Sequence, residues 1–277
     1  MLTTSPDSNM PRPLWKGPGW ALIILLLWMA SLAVMGRSLG AMRPEAIAGL
    51  IAVRAFLHTG LFVVAHDAMH GSLFPGRWRW NRTVGQIFLG LYGLIDYDHC
   101  AQNHGKHHRF PGQDRDPDFH APGDRPLLWY FRFIRAYYSL GQFLVLLGIW
   151  LLILVTLQSC GVGSVPHFLL FWVLPQVISA VQLFLFGTYL PHRRTGSSVP
   201  GSIQSLAYPP WLSFLACYHF GYHGAHHRFP TVPWFDLPRI QGANQESACQ
   251  SGQTKLASQP RGWMAQINRL RVTGVEP

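Results

Sequence analysis

The chain is 277 residues long, 49% apolar and only 12% charged, with a formal net charge of +10. A soluble domain carries roughly 25% charged residues, so part of this chain is expected to face lipid; intrinsic disorder and a small disulfide-stapled scaffold are both excluded. The positive charge does not point to nucleic acid, because the bases flank apolar segments instead of clustering on a polar domain.

A membrane crossing needs about 20 mostly apolar residues. The first candidate runs from Trp20 to Met35, just after Arg12 and Lys16. A second runs from Glu45 to His66, interrupted only by Arg54 and His58. The apolar stretch from Thr83 to Ile95 is too short to cross and reads as a re-entrant or interfacial helix. A third span covers Ser139 to Gln158, and the aromatic and basic residues before it (Trp129, Tyr130, Arg132, Arg135, Tyr137, Tyr138) suit a membrane interface. The fourth runs from Val165 to Leu190. The expected organisation is an all-α integral membrane domain over residues 1–240, with about four transmembrane helices plus interfacial ones. Residues 241–277, rich in Gln, Ser and Gly, read as a polar, disordered tail.

Four crossings put both termini on one face, together with the loop from Gly71 to Arg125 and everything after Pro191. Nineteen of the 22 Lys and Arg fall on that face; Arg37 and Arg43 fall opposite and Arg54 within a span. The bias marks the loaded face as cytoplasmic. The four cysteines, Cys100, Cys160, Cys217 and Cys249, form no CxxC pair, which excludes a structural zinc site or a cysteine-held iron–sulfur cluster.

Histidine carries the chemistry. His66 and His70 leave the second span, His104, His107 and His108 lie in the long loop, and His192 ends the fourth span. His219, His223, His226 and His227 follow it. Residues three and four apart share a helix face and can chelate together. Imidazole suits iron, zinc or copper when neutral. The parity of the crossings brings every group to one membrane face, and nine or ten imidazoles exceed the needs of one ion, so two metals are inferred. The zinc-protease HExxH and the carboxylate di-iron pattern are both absent. An all-imidazole pair suits O2 activation at iron. Seven of the twelve acids lie between Asp67 and Asp124, and Asp67, Asp114, Asp116 and Asp118 are candidates to orient the ligands. The alternative for Asp114 to Asp118 is a solvated turn. His58, His99, His120 and His167 have no chelating partner at helical spacing and read as structural, and Arg54 has no assignable role.

The three boxes, HxxxH, HxxHH and HxxHH, resemble the membrane fatty-acid desaturase and hydroxylase superfamily. Narrower strings resemble the bacterial and cyanobacterial β-carotene ketolases: Ala65 to Gly71, His107 to Gly112 leading to Asp116-Pro117-Asp118-Phe119, Phe186 to Arg193, and Tyr218 to His223. The resemblance covers roughly Trp15 to Pro238. The chain departs from the family pattern at Ala225, where Glu is usual, and at Gly105, where an aromatic is usual. Glu restored at 225 is expected to be tolerated.

The resemblance implies a cytoplasmic His-box cap holding two non-haem irons, with O2 as cosubstrate, and oxidation of the C4 methylene of β-carotene to a ketone. It implies a carotenoid drawn from the bilayer and a bacterial inner or thylakoid membrane as the location. Phe184, Phe186 and Gly187 are candidate tunnel wall. Electrons must come from an external donor, since the chain has no GxGxxG fingerprint or cysteine cluster. A ferredoxin docked on Arg77, Arg79, Arg82, Arg193 and Arg194 is expected. The rival readings are a carotene 3-hydroxylase, a fatty-acid desaturase and, from another class, a His-rich metal transporter, which would place its ligands near the bilayer midplane.

Overall fold

The computed structural model describes residues 14–119, 125–193 and 203–242. The polar tail beyond 242, together with His120, Asp124 and Arg194, lies outside the described residues. The described residues are helical, with no strand among them.

Among the described residues, four helical segments are long and apolar enough to cross a membrane: Lys16–Val34, Pro44–Met69, Leu140–Ser159 and Val165–His192. Each falls on an expected span, displaced by a few residues at the ends, where caps set the boundary. The helix α1 (Lys16–Ser31) is apolar all round, with Leu22, Leu26 and Met29 facing out. Pro44 opens α2 (Pro44–Met69), whose fixed φ suits a first turn that needs no N–H partner. Its outer half is exposed, whereas from Arg54 onward it is mostly buried.

The short apolar stretch is the core of α3 (Trp78–Gly93), an amphipathic helix that buries Asn81, Gly85, Phe88, Leu89 and Tyr92 and exposes Trp78, Trp80 and Ile87. Leu94, in the left-handed region at φ 58°, stops it. Asp96 then caps α4 (Tyr97–Arg109) by accepting the His99 N–H at 2.6 Å. A Cβ at Gly85 would lie 2.1 Å from the Tyr97 ring, so only glycine lets α3 and α4 approach this closely.

The aromatic and basic approach forms α5 (Pro126–Tyr137). A capping box between Ser139 and Gln142 starts α6 (Leu140–Ser159), and no residue of α6 is buried. Such a helix, apolar on every side, is stable only with lipid around it. It touches the rest through Trp150, Ile153, Leu154 and Leu157, which pack on Phe168 and Phe171.

The last span, α7 (Val165–His192), contains two π turns, Leu169–Val173 and Phe184–Tyr189. Pro175 cannot donate an N–H to the Phe171 carbonyl four residues earlier. Arg54 supplies that donor: its guanidinium bonds the Phe171 carbonyl and, at 2.6 Å, the Ser31 hydroxyl. The charge within the span therefore ties α1, α2 and α7 together. Thr59 Oγ1 lies 2.8 Å from Ser179 Oγ and 2.6 Å from Gln182 Oε1, and the Gln182 amide donates to the Ala216 carbonyl in α8 (Pro210–Cys217). The chain then turns into α9 (His223–Arg228).

Three of the four histidines read as structural are within the described residues, and each bonds partners outside the imidazole clusters. His58 lies between the Trp28 indole N–H and the Tyr92 carbonyl, His99 bonds the Ala136 carbonyl, and His167 bonds Ser164 and the Arg37 carbonyl.

Candidate metal centre

Four elements end at one place: the last turn of α2, the body of α4, the last turn of α7 and all of α9. Nine of the ten expected imidazoles meet there, all of them buried. Ligand atoms of His66, His70, His104 and His226 lie within 4.8 Å of one another, and so do those of His107, His192, His223 and His227. His108 belongs with the first group, its Nε2 being 3.1 Å from His104 Nε2 and 3.0 Å from His226 Nε2. The two HxxHH helices divide in opposite senses. In α4, His104 and His108 join the first group and His107 the second; in α9, His223 and His227 join the second and His226 the first. Residues four apart share a face, while the middle histidine is turned toward the neighbouring group. The groups meet where His108 stacks on His227, ring centroids 4.0 Å apart.

His219 stays outside both groups. Tyr218 and His219 both take positive φ, 45° and 64°, and the turn directs the His219 ring against Tyr222, Phe214 and Trp234.

The donor set fits a pair of metal ions. Nε2 atoms approach in pairs: His70 to His104 at 2.7 Å, His107 to His227 at 2.8 Å, His223 to His227 at 3.1 Å. Adjacent ligands around an ion with bonds of about 2.1 Å stand about 3 Å apart. His192 Nδ1 donates to the Thr188 carbonyl at 2.5 Å, which leaves Nε2 as a bare, buried acceptor with no hydrogen-bond partner. Burial first, then the neighbouring imidazoles, holds His70, His104, His108, His223, His226 and His227 well below the ordinary histidine pKa, so these rings are neutral donors at pH 7.

His107 differs. Burial would lower its pKa, but the carboxylates of Asp118 and Asp116 reverse this and raise it. Asp116 accepts from His107 Nδ1 at 2.8 Å, from Gly112 N–H at 2.8 Å and from Asp118 N–H at 2.9 Å. Burial opposes ionisation there, yet the His107 contact and the two backbone donors hold Asp116 below the usual carboxylate range. Asp118, pushed up to about 6 chiefly by burial, lies 3.9 Å from His107 Nδ1 and accepts the Tyr137 hydroxyl; its carbonyl accepts the Trp129 indole N–H at 2.8 Å. The acidic turn is thus built into the centre and clamped by α5. Asp114 is exposed, so of the four candidate orienters it stands apart. Asp67 lies beside His66, its carboxylate 3.8 Å from Nδ1, and accepts the Trp234 N–H at 3.3 Å. Tyr137 and Trp129 carry no sequence signal that separates them from interfacial aromatics.

A cavity of about 240 Å³ leads to the imidazoles. His66, His104 and His223 line its inner end, and its walls include Phe62, Leu183, Gly187 and Phe220. It continues between α6 (Phe143, Leu146, Trp150) and α7 (Gln176, Val177, Ala180), both in the membrane. Gly187 is wall as expected. Phe184 and Phe186 are not: Phe184 packs on Trp129, Tyr130 and Phe133, and Phe186 on Tyr208. Ala225 faces away from the rings, packed with Tyr222, Val232, Leu237 and Ile240. Of the basic residues expected to form a docking face, Arg77, Arg79 and Arg193 are exposed, while Arg82 is paired with Asp98 at 2.5 Å.

The family model for fatty acid desaturases matches residues 42–256. A β-carotene ketolase of a Paracoccus species is 42% identical over 186 residues, 66% of this chain and 74% of that protein. Another, from Paracoccus sp. strain PC1, is 39% identical over 227 residues, 80% of this chain and 91% of the relative. A zeaxanthin 4-ketolase of Chlamydomonas reinhardtii is 36% identical over 203 residues, 71% of this chain and 44% of the algal protein.

Proposed function

The chain belongs to the fatty acid desaturase family, among its β-carotene ketolases, and we propose that it is a membrane oxygenase converting the C4 methylene of a β-ionone ring to a ketone. The observation that carries this reading is the apolar cavity that opens between two membrane helices and ends on imidazoles of both groups.

We assign one iron to His66, His70, His104, His108 and His226, and a second to His107, His192, His223 and His227. Bound there, the irons supply O2 activation and the oxidising power to remove hydrogen from an allylic C–H. The chain's own residues do the rest. Asp116 and the Thr188 carbonyl fix the tautomers of His107 and His192, directing each Nε2 inward. The cavity walls bring the ring to the imidazoles and exclude water, so that position selects the carbon attacked. Gly187, which lacks a side chain, leaves room for the ring beside Phe220.

Two hydroxylations at one carbon give a geminal diol that loses water. In balance, CH2, two O2, four electrons and four protons give C=O and three H2O. The electrons come from outside the chain, and a ferredoxin meeting Arg77, Arg79 and Arg193 by charge complementarity is the partner assigned. The excess of Lys and Arg supports a cytoplasmic position for both termini and the metal centre in a bacterial inner or thylakoid membrane.

Expression in a β-carotene-producing bacterium tests the reading. Echinenone and canthaxanthin, identified by mass and absorption, are the expected products. Zeaxanthin, or a changed fatty-acid profile without keto-carotenoid, would assign the chain to a different chemistry of the same superfamily.

A further inference from the structure

The cavity wall carries a hydroxyl that the metal centre does not use. Thr188 lies on α7 one turn before His192, and its backbone carbonyl is taken by His192 Nδ1. The residue is only 3% exposed, and its hydroxyl makes no hydrogen bond among the described residues. That hydroxyl is not sealed in packing as the Trp150 and Trp172 indoles are; the space it borders is the cavity. Three other hydroxyls on the wall are already committed: Tyr137 donates to Asp118, Tyr138 donates to the Gly93 carbonyl, and Tyr92 accepts from Ser179. A hydroxyl left unpaired in apolar surroundings is costly unless something in the cavity bonds it.

Its position indicates what that is. Thr188 falls in the π turn Phe184–Tyr189, which sets the consecutive residues Gly187 and Thr188 on the wall together. Gly187 lies against Phe220, where a Cβ would stand 3.4 Å from the ring. One turn on, the His192 ring is 4.9 Å from that of His223, which lines the inner end. The hydroxyl therefore belongs to the imidazole end, where the reacting ring is placed. β-Carotene is a hydrocarbon and brings no partner for it. The first oxygen to appear on the ring is the C4 hydroxyl made by the first hydroxylation, and it appears at this end.

We propose that Thr188 Oγ1 holds the C4 hydroxyl of the half-oxidised ring, so that the same carbon stays at the imidazoles for the second hydroxylation. A threonine hydroxyl donates and accepts, and so does an alcohol, so the two bond in either sense. Without that bond the alcohol is free to slip back between α6 and α7 into the bilayer before it is oxidised again. Thr188 thus sets how often the alcohol is carried through to the ketone. This rests on the ketolase reading and adds to it a determinant of the product.

The test supplies β-carotene to membranes holding the full chain and counts the 4-hydroxy and 4-keto products. Their ratio is internal to each preparation and does not depend on how much protein accumulates. Thr188→Val keeps the size, the branch at Cβ and the backbone carbonyl on His192, and removes only the hydroxyl. It is expected to raise the alcohol-to-ketone ratio about fivefold, the order of one neutral hydrogen bond, with iron per chain unchanged. Thr188→Ser, which keeps a hydroxyl, is expected to stay within about twofold of the unaltered ratio. An unchanged ratio in Thr188→Val, an equal rise in Thr188→Ser, or a rise that comes only with loss of iron overturns the role. A second measurement needs no variant: the unaltered chain, given the 4-hydroxy compound directly, should show a KM about fivefold below that for β-carotene, and equal values overturn the bond. If the unaltered chain forms no oxidised carotenoid from β-carotene, the ketolase reading itself fails and takes the proposal with it, a result distinct from the others.

Discussion

His107 and Asp116 are joined by a 2.8 Å contact, and the same carboxylate accepts the backbone N–H groups of Gly112 and Asp118. In the proposed centre a metal ligand is thereby oriented by a residue nine positions further along the chain. Replacing an outer partner of this kind costs 10–100-fold in metal affinity or activity as a rule. Asp116→Ala is expected to lose metal on dialysis and to retain about a tenth of the ketolase rate or less. Asp114→Ala, at an exposed position of the same turn, should match the unaltered protein. Equal behaviour of the two variants would remove the special role of Asp116.

The same contact predicts a pH dependence. Burial opposes the charged form of His107, but Asp118 and Asp116 raise its pKa above the ordinary value, so the metal-free ring holds its proton to higher pH than a free imidazole does. A metal must displace that proton, and raising the pH assists it. Iron affinity of the metal-stripped protein should rise between pH 6 and pH 8, and Asp116→Ala should flatten the rise. A flat profile in the unaltered protein would contradict the assignment.

Alanine at His104, His107, His223 or His226 is expected to abolish keto-carotenoid formation while the protein stays in the membrane. His219 is the control. Its ring lies against Tyr222 and Trp234, away from both groups, and its backbone, at φ 64°, accepts asparagine. His219→Asn should keep the metal content of the unaltered chain. Loss of one ion from it would bring His219 back into the ligand set.

Arg54→Leu removes the donor to the Phe171 carbonyl, which Pro175 leaves without a helical partner. A buried acceptor left unpaired costs about 1–3 kcal/mol. The thermal midpoint in detergent should fall by several degrees, with iron content per folded chain unchanged. An unaltered midpoint would show that the charge contributes nothing to packing.

Ala225→Glu places a carboxylate among Tyr222, Val232, Leu237 and Ile240. The packing reverses the expectation that this change is tolerated: lower accumulation in the membrane is now predicted, because a buried unpaired carboxylate is costly. Wild-type levels in an immunoblot of membranes would show that the side chain escapes the pocket.

Much of the architecture was legible in the sequence because lipid demands long apolar runs, and such runs are local. Ser139 and Pro44 even mark the starts of their helices. The imidazole groups were legible because helical spacing fixes which histidines share a face, as His223 and His227 do. What the spacing could not show is how the middle member of each HxxHH is shared between groups. Nor could it show that the left-handed turn at Tyr218 and His219 removes one imidazole from the set. The partners of Arg54 and Arg82 and the hold of Tyr137 and Trp129 on Asp118 are long-range contacts, invisible until the helices are assembled. The aromatic string around Phe184 misled for the same reason: helical position named a face, and the neighbours on that face decided what it touches.

The most direct test is the iron content of the purified, membrane-extracted chain, counted per polypeptide by elemental mass spectrometry beside its ketolase activity. Nine imidazoles in two groups predict two irons per chain, with activity lost as the metal is removed and regained when iron alone is returned. A constant value of one, or full activity in a chain stripped of metal, would contradict the paired centre.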